Sequence, residues 1–120
     1  MLNLDTHILL DTFSGNISDS ERSLIHGQNL AISDIVLWEI AKLAQLGRID
    51  IDMEGPIFLR AMRQITVFPI TPVIALQSAV LDFRSDPADE IIAATSIVEN
   101  IPLLTRDQKI LKSKIVPLAK

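Results

Sequence analysis

Short, almost wholly apolar runs alternate with stretches of helical periodicity from one end of the chain to the other. Leu2-Asn3-Leu4, Leu30-Ala31-Ile32, Ile65 to Ile70 and Pro102 to Thr105 have the length and apolarity of strands buried on both faces, and Ile115-Val116 is a candidate fifth. Between them the apolar spacing predicts helices from Thr6 to Phe13, from Ser18 to about His26, from Ser33 or Asp34 to near Gly47, from Gly55-Pro56 to Gln64, from Thr71-Pro72 to about Phe83, and from Asp86-Pro87 to about Asn100. A helical turn is expected over Gln108 to Leu111. The boundaries carry chemical signals. Ser14-Gly15-Asn16 breaks the first helix, Ser18 and Glu21 have capping-box spacing, and Gly27 is a stop. Thr71-Pro72 and Asp86-Pro87 put a capping residue before a proline at the first helical position. This is the pattern of an α/β protein with a short, mostly parallel sheet of four to five strands covered by helices on both faces. With 120 residues it forms one domain, residues 1–120.

In such sheets ligands bind outside the carboxyl ends of the strands, which directs attention to acids at strand ends. Asp5 follows the first strand and Asp107 follows Leu103-Leu104-Thr105; each is also suited to cap the helix after it. Glu39 falls inside the apolar arc of its helix, beside Ile35 and between Leu43 and Leu46, where a carboxylate loses hydration and needs a partner or a metal. Asp86, before Pro87, reads as an N-cap; Asp89 lies three residues on, beside the small residues Ala93 and Ser96. Asp5, Glu39, Asp89 and Asp107 come from four segments that a doubly wound sheet brings to one edge. Two like unit charges ~4 Å apart cost roughly 1 to 4 kcal/mol. Such a cluster calls for a cation, and all-oxygen ligands select Mg²⁺ or Mn²⁺.

Composition changes the picture in three ways. Hydrophobic residues make up 48% of the chain and the mean hydropathy is +0.35, so a domain this small is expected to leave apolar surface for a partner. No apolar run reaches the ~18 residues that span a bilayer, the first residues lack the basic start of a signal peptide, and cysteine is absent. A cytoplasmic protein without disulfides or thiolate chemistry is expected. The net charge of −4 and pI near 5.0 run against nucleic-acid binding unless a metal supplies positive charge.

The same residues carry a family likeness. Leu4-Asp5-Thr6-His7-Ile8-Leu9-Leu10 resembles the first motif of VapC-type PIN-domain toxins. Ile32-Ser33, Leu37-Trp38-Glu39-Ile40-Ala41 and Gly47-Arg48-Ile49 resemble the second, Asp86-Pro87-Ala88-Asp89 with Ile91-Ile92-Ala93-Ala94-Thr95 the third, and Leu103-Leu104-Thr105-Arg106-Asp107 the fourth. The motifs span nearly the whole chain in order; the stretch from Ile51 to Leu76 is generic. The resemblance implies a PIN-like three-layer α/β/α fold, a Mg²⁺ or Mn²⁺ ion held by Asp5, Glu39, Asp89 and Asp107, and hydrolysis of single-stranded RNA. It also implies support of the ligands by Thr105, Thr6 or Ser33, a homodimer, and inhibition by a cognate antitoxin protein. Asp11 and Glu90 depart from the pattern, standing where relatives often carry an aromatic residue and an arginine.

Lys42, Arg48 and Arg106 are the candidate contacts to an RNA backbone, against the plainer reading of solvated surface charge. His7 and His26 fall on different helices with no evident pairing, which weighs against a metal-free, two-histidine ribonuclease; His7 lies beside the site and His26 near a helix end. A phosphoacceptor signalling domain would need an acidic pair at the first strand and a lysine after the last. Here Asp5 is isolated and position 106 is arginine. A non-catalytic PIN-like protein-binding module is the remaining alternative.

Overall fold

A computed structural model describes residues 1–120. Four strands form the sheet: β1 (Leu2–Leu4), β2 (Leu30–Ser33), β3 (Ile65–Phe68) and β4 (Leu103–Leu104). Their order is β3-β2-β1-β4 and every pairing is parallel, with Leu2 opposite Leu30, Ala31 opposite Thr66 and Leu4 opposite Leu104. Parallel neighbours need crossover connections, and helices supply them. Helices α1 (Thr6–Ser14) and α2 (Asp19–Ile25) join β1 to β2, α3 (Ile35–Gln45) and α4 (Pro56–Met62) join β2 to β3, and α5 (Pro72–Ser78) and α6 (Pro87–Glu99) join β3 to β4. A last turn, α7 (Gln108–Leu111), follows β4. The architecture is the expected three-layer α/β/α arrangement. No helix is long and apolar enough to cross a membrane.

The chain steps outward from β1 to β2 to β3 and then returns to lay β4 on the other side of β1. Connections from β1 and from its neighbour β4 therefore diverge, opening a crevice at their carboxyl ends. The floor is rigid: Leu4, Ile8, Ile32, Val36, Ile40, Ile92 and Ala93 are wholly buried beneath it. Burying a Leu or Ile side chain stabilises the fold by roughly 1.5 to 3 kcal/mol.

Two expectations differ from the structure. The helix after Pro72 ends at Ser78, not Phe83. From Leu81 to Ser85 burial alternates residue by residue, with Leu81 and Phe83 packed on the core and Asp82 and Arg84 outside. An extended segment can do this; a helix would point Leu81 and Phe83 in divergent directions. The anticipated strand at Ile115-Val116 is also absent. Asp82 accepts hydrogen bonds from the Ser113 hydroxyl and the Lys114 N–H, both at 2.7 Å, which bends that segment, and the chain meets the sheet only later, through a parallel bridge between Leu103 and Leu118. Of the two candidate caps of α3 it is Ser33 that acts, its hydroxyl accepting the Ile35 N–H at 3.2 Å, while Asp34 occupies the cap position without a side-chain cap bond.

Candidate functional site

The crevice is built from the strand ends upward. Asp5 leaves β1 in extended conformation and caps α1, its Oδ1 accepting the Thr6 N–H at 2.8 Å. Its Oδ2 accepts the Thr105 hydroxyl at 2.6 Å, and the carboxylate is 6% exposed. Thr105 leaves β4 and its hydroxyl oxygen also accepts the Asp107 N–H at 3.0 Å. Asp107 then caps α7, with Oδ1 accepting the N–H groups of Lys109 and Ile110 at 2.8 and 3.2 Å. One threonine hydroxyl thus couples the acid after β1 to the acid after β4.

The other two acids come from helix faces. Glu39 on α3 is half-buried and accepts a short hydrogen bond from the Thr6 hydroxyl, so Thr6 serves Asp5 with its backbone and Glu39 with its side chain. Asp89, in the first turn of α6, accepts the Ser85 hydroxyl at 3.0 Å. A cavity of about 330 Å³ is lined by Asp5, His7, Ile8, Asp11, Asp89, Arg106 and Asp107. Glu39 is not part of this lining and is joined to it through Thr6, the neighbour of Asp5.

Two of the acids, Asp89 and Glu39, hold a proton more readily than a free carboxyl. The Asp89 carboxyl is pushed up to about 6, first by burial, with the Ser85 hydrogen bond opposing and the charges of Asp5, Glu39 and Asp107 adding to the rise. The Glu39 carboxyl is also raised, chiefly by burial; the Thr6 hydrogen bond opposes, Asp5 and Asp86 reinforce it, and His7 opposes it weakly. The donor set suits a hard divalent cation, being all oxygen, partly desolvated and mutually repelling. As the side chains lie, each carboxylate is turned onto an internal donor and no three stand close enough to share an ion.

The remaining candidates fall as follows. Asp86 holds the N-cap position of α6 but makes no side-chain cap bond and is exposed; its charge bears on Glu39. Ser33 is buried and spends its hydroxyl on α3 rather than on a carboxylate. Lys42 bonds Gln45 and lies 5.9 Å from the exposed Trp38 ring; Arg48 is exposed. His7 is exposed at the cavity wall, and His26 is the exposed C-cap of α2. Arg106 is not a free cation: it pairs with Glu21 and Asp11. That pairing holds the Glu21 carboxyl near 2, ahead of its bond from the Ser18 backbone, and raises the guanidinium above its ordinary value. The two departures from the motif pattern are both spoken for, Asp11 by Arg106 and Glu90 by the Ser85 N–H at 3.2 Å.

Two residues escaped the sequence reading. Ser85 orients both Asp89 and Glu90; its signal was a serine directly before Asp-Pro, overlooked because Asp86 already explained the helix start. Asn3 is a wholly buried polar residue inside the apolar run of β1. Its amide donates to the Ile92 carbonyl at 3.2 Å and the Ser96 hydroxyl at 2.9 Å, pinning the helix that carries Asp89 to the strand that carries Asp5.

Comparison with known proteins bears on this arrangement. The model of the PIN domain family matches residues 3–114. Ribonuclease VapC22 of Mycobacterium tuberculosis is 30% identical over 94 residues, 76% of this chain and 72% of that protein. Among solved structures, a toxin–antitoxin complex from Klebsiella pneumoniae contains a chain with TM-score 0.75 at 22% identity, covering 99% of this chain and 97% of its own. VapBC2 from Rickettsia felis, bound to a DNA fragment from its promoter, gives 0.72 at 20% identity over 98% and 97%. FitAcB from Neisseria gonorrhoeae gives 0.67 at 19% over 100% and 97%. A family model spanning the four acidic segments, a curated relative and a shared fold agree: the chain belongs to the PIN-domain family, among its VapC-type members.

Proposed function

We propose that the chain is a divalent-metal-dependent endoribonuclease that hydrolyses single-stranded RNA and acts as the toxin of a toxin–antitoxin pair. The observation that carries this reading is that Asp5, Asp89 and Asp107, from three segments, line one cavity at the β1–β4 crevice, with the Asp89 carboxyl pushed up to about 6 by burial and by the charges of Asp5, Glu39 and Asp107. Asp5, Glu39, Asp89 and Asp107 would hold Mg²⁺ or Mn²⁺. Bound there, the ion would lower the pKa of a water and offset the charge of the scissile phosphate, supplying what a chain of net charge −4 lacks. The chain's own part is orientation. Thr105 and Thr6 hold the Asp5 carboxylate from two sides, Thr6 turns Glu39 toward the same corner, Ser85 turns Asp89, and the α7 backbone fixes Asp107.

An antitoxin and a second copy of the chain are the proposed partners, and the cytoplasm the proposed setting. The VapC22 relative is named a ribonuclease, and the structural neighbours are toxin–antitoxin assemblies. Apolar surface supports a partner: Val73 and Leu76 on α5, and Val80 just beyond it, are 60 to 72% exposed. An open groove of about 400 Å³ between the end of α1 and residues 50–58 is walled by Leu10, Phe13, Ile51 and Phe58 with Asp50 and Asp52 alongside, which suits a segment that is both apolar and basic.

The test is cleavage of a mixed single-stranded RNA with Mg²⁺ or Mn²⁺ against EDTA, beside Asp5→Asn. Metal-dependent cutting that falls by about a thousandfold in the variant is expected. Full cutting by Asp5→Asn in Mg²⁺ would overturn the metal mechanism. No cutting and no effect of Mn²⁺ on the melting temperature would leave a protein-binding module.

A further inference from the structure

Both ion pairs of the molecule converge on one side chain. Arg106 donates from Nε and Nη2 to the two Glu21 oxygens, each at 2.8 Å, and from Nη1 to Asp11. Glu21 is held from its other side by the Ser18 N–H at 2.9 Å, closing the capping box of α2. A single guanidinium therefore ties the β4–α7 turn to α1 and to the first turn of α2.

The elements flanking that turn are too short to hold it alone. Strand β4 has two residues and α7 has four, well below the length at which a helix is stable by itself. Helix α2 is loosely seated as well, since none of its residues is buried and only Leu24 and Ile25 pack on the core. Yet the turn carries Thr105, which holds Asp5, and Asp107, one residue to either side of Arg106. A planar fork bound bidentately to one carboxylate and singly to another is a directional tether. At the surface such pairs add little to global stability, so the consequence of this one falls on the geometry of the turn. A phosphate would meet two acids around one cation, a corner of net negative charge that repels an RNA backbone.

We infer that Arg106 is a positioning residue, a clip that holds the Thr105–Asp107 turn in register with Asp5, and not a contact to RNA. The inference rests on the ribonuclease reading for its activity arm alone. The two roles load different kinetic constants. Arg106→Gln should lose kcat by about tenfold with KM within about twofold if the residue is a clip, whereas an RNA contact would show as a raised KM with kcat kept. Glu21→Gln combined with Asp11→Asn removes the same tether and should show the same loss of kcat, and adding Arg106→Gln to it should cost no further kcat. Arg106→Lys, which reaches one acid but cannot fork across both, should be intermediate.

Hydrogen exchange of the metal-free full chain is the second readout. The Lys109 and Ile110 amides, capped by Asp107, and the α2 amides should exchange about tenfold faster in either variant while the β1 and β2 amides keep their protection. Unchanged exchange at Lys109 and Ile110, or a raised KM with kcat kept in Arg106→Gln, overturns the clip. Should the wild type cut no RNA, the ribonuclease reading falls and the exchange data still decide this one.

Discussion

The four acids divide into two pairs by the elements that carry them. Asp5 and Asp107 stand at strand ends, and each accepts at least one backbone N–H from the helix it caps. Glu39 and Asp89 stand on helix faces, and each has a single hydroxyl donor. The first pair is therefore useful to the fold whatever occupies the crevice, since an N-cap stabilises a helix by about 1 kcal/mol. In the second pair burial outweighs that one hydrogen bond and neighbouring acids add to it, so both of its carboxyls are raised. Asp5 and Asp107 thus serve the fold in any case and would serve an ion as well, whereas Glu39 and Asp89 would serve the ion alone.

That difference breaks or stands on two variants melted in EDTA at neutral pH. Asp107→Ala removes the cap of α7 and should lower stability by 1 to 2 kcal/mol, roughly a 5 °C fall for a domain of this size. Asp89→Asn keeps an acceptor for Ser85 while removing the charge, and should raise stability by about 1 kcal/mol once solvent screening of a half-exposed group is allowed for. Mn²⁺ should reverse the second sign, since wild type then gains from binding and Asp89→Asn does not. A loss in Asp89→Asn as large as that in Asp107→Ala, in EDTA, would end the distinction.

The strand-end pair was legible in the sequence and the helix-face pair only partly so. Asp5 and Asp107 follow apolar runs directly, so both the cap and the edge position could be read off from neighbours in the chain. Glu39 was visible as a break in an apolar arc. What sets the state of Asp89 is Ser85, and what holds Asp107 in register is Glu21, a residue 85 positions from Arg106. No local pattern encodes that second pairing. The boundary error at α5 has the same origin: propensity and the Thr71-Pro72 start favour a longer helix, but Leu81 and Phe83 have to reach the core together. Alternation of strand and helix is a local property and was recovered from β1 to α7, though not in the strand expected at Ile115-Val116; the ion-pair clip and the Asn3 bridge to α6 are tertiary and were not.

The two pairs also predict a distinctive dependence on pH. A carboxyl whose folded value lies above its unfolded one binds protons preferentially in the native state, so stability rises as pH falls through that interval. For Asp89 the interval runs from about 6 down to 3.8, and Glu39 acts in the same direction. Glu21 has the opposite sign: its contribution is complete above 4.5 and is lost as pH falls toward about 2. Metal-free protein should therefore melt a few degrees higher near pH 4.5 than at neutrality, and lower again in stronger acid. With Mn²⁺ the first limb should invert, because protons then compete with the ion for Asp89. A metal-free melting temperature that only falls from neutrality downward would show that the crevice acids do not repel.

The smallest expected effect isolates the single hydroxyl on which Asp89 depends. Ser85→Ala removes the only donor to that carboxylate but keeps the backbone N–H that holds Glu90, so the loop before α6 retains its second tether. Losing a hydrogen bond to the charged form raises the Asp89 carboxyl further, which weakens its grip on a cation at neutral pH. Mn²⁺ affinity should drop by about threefold, at the modest end for a group that orients a metal ligand, with the melting temperature in EDTA unchanged within a degree or so. Ser85→Thr keeps the hydroxyl and should restore the affinity. The equivalent change on the strand-end side, Thr105→Val, strips donors from a residue that serves Asp5 and Asp107 together, and should cost affinity and stability at once. If Ser85→Ala destabilises the metal-free fold as Thr105→Val does, the helix-face acids are structural after all, and the division between the two pairs fails where it is easiest to see.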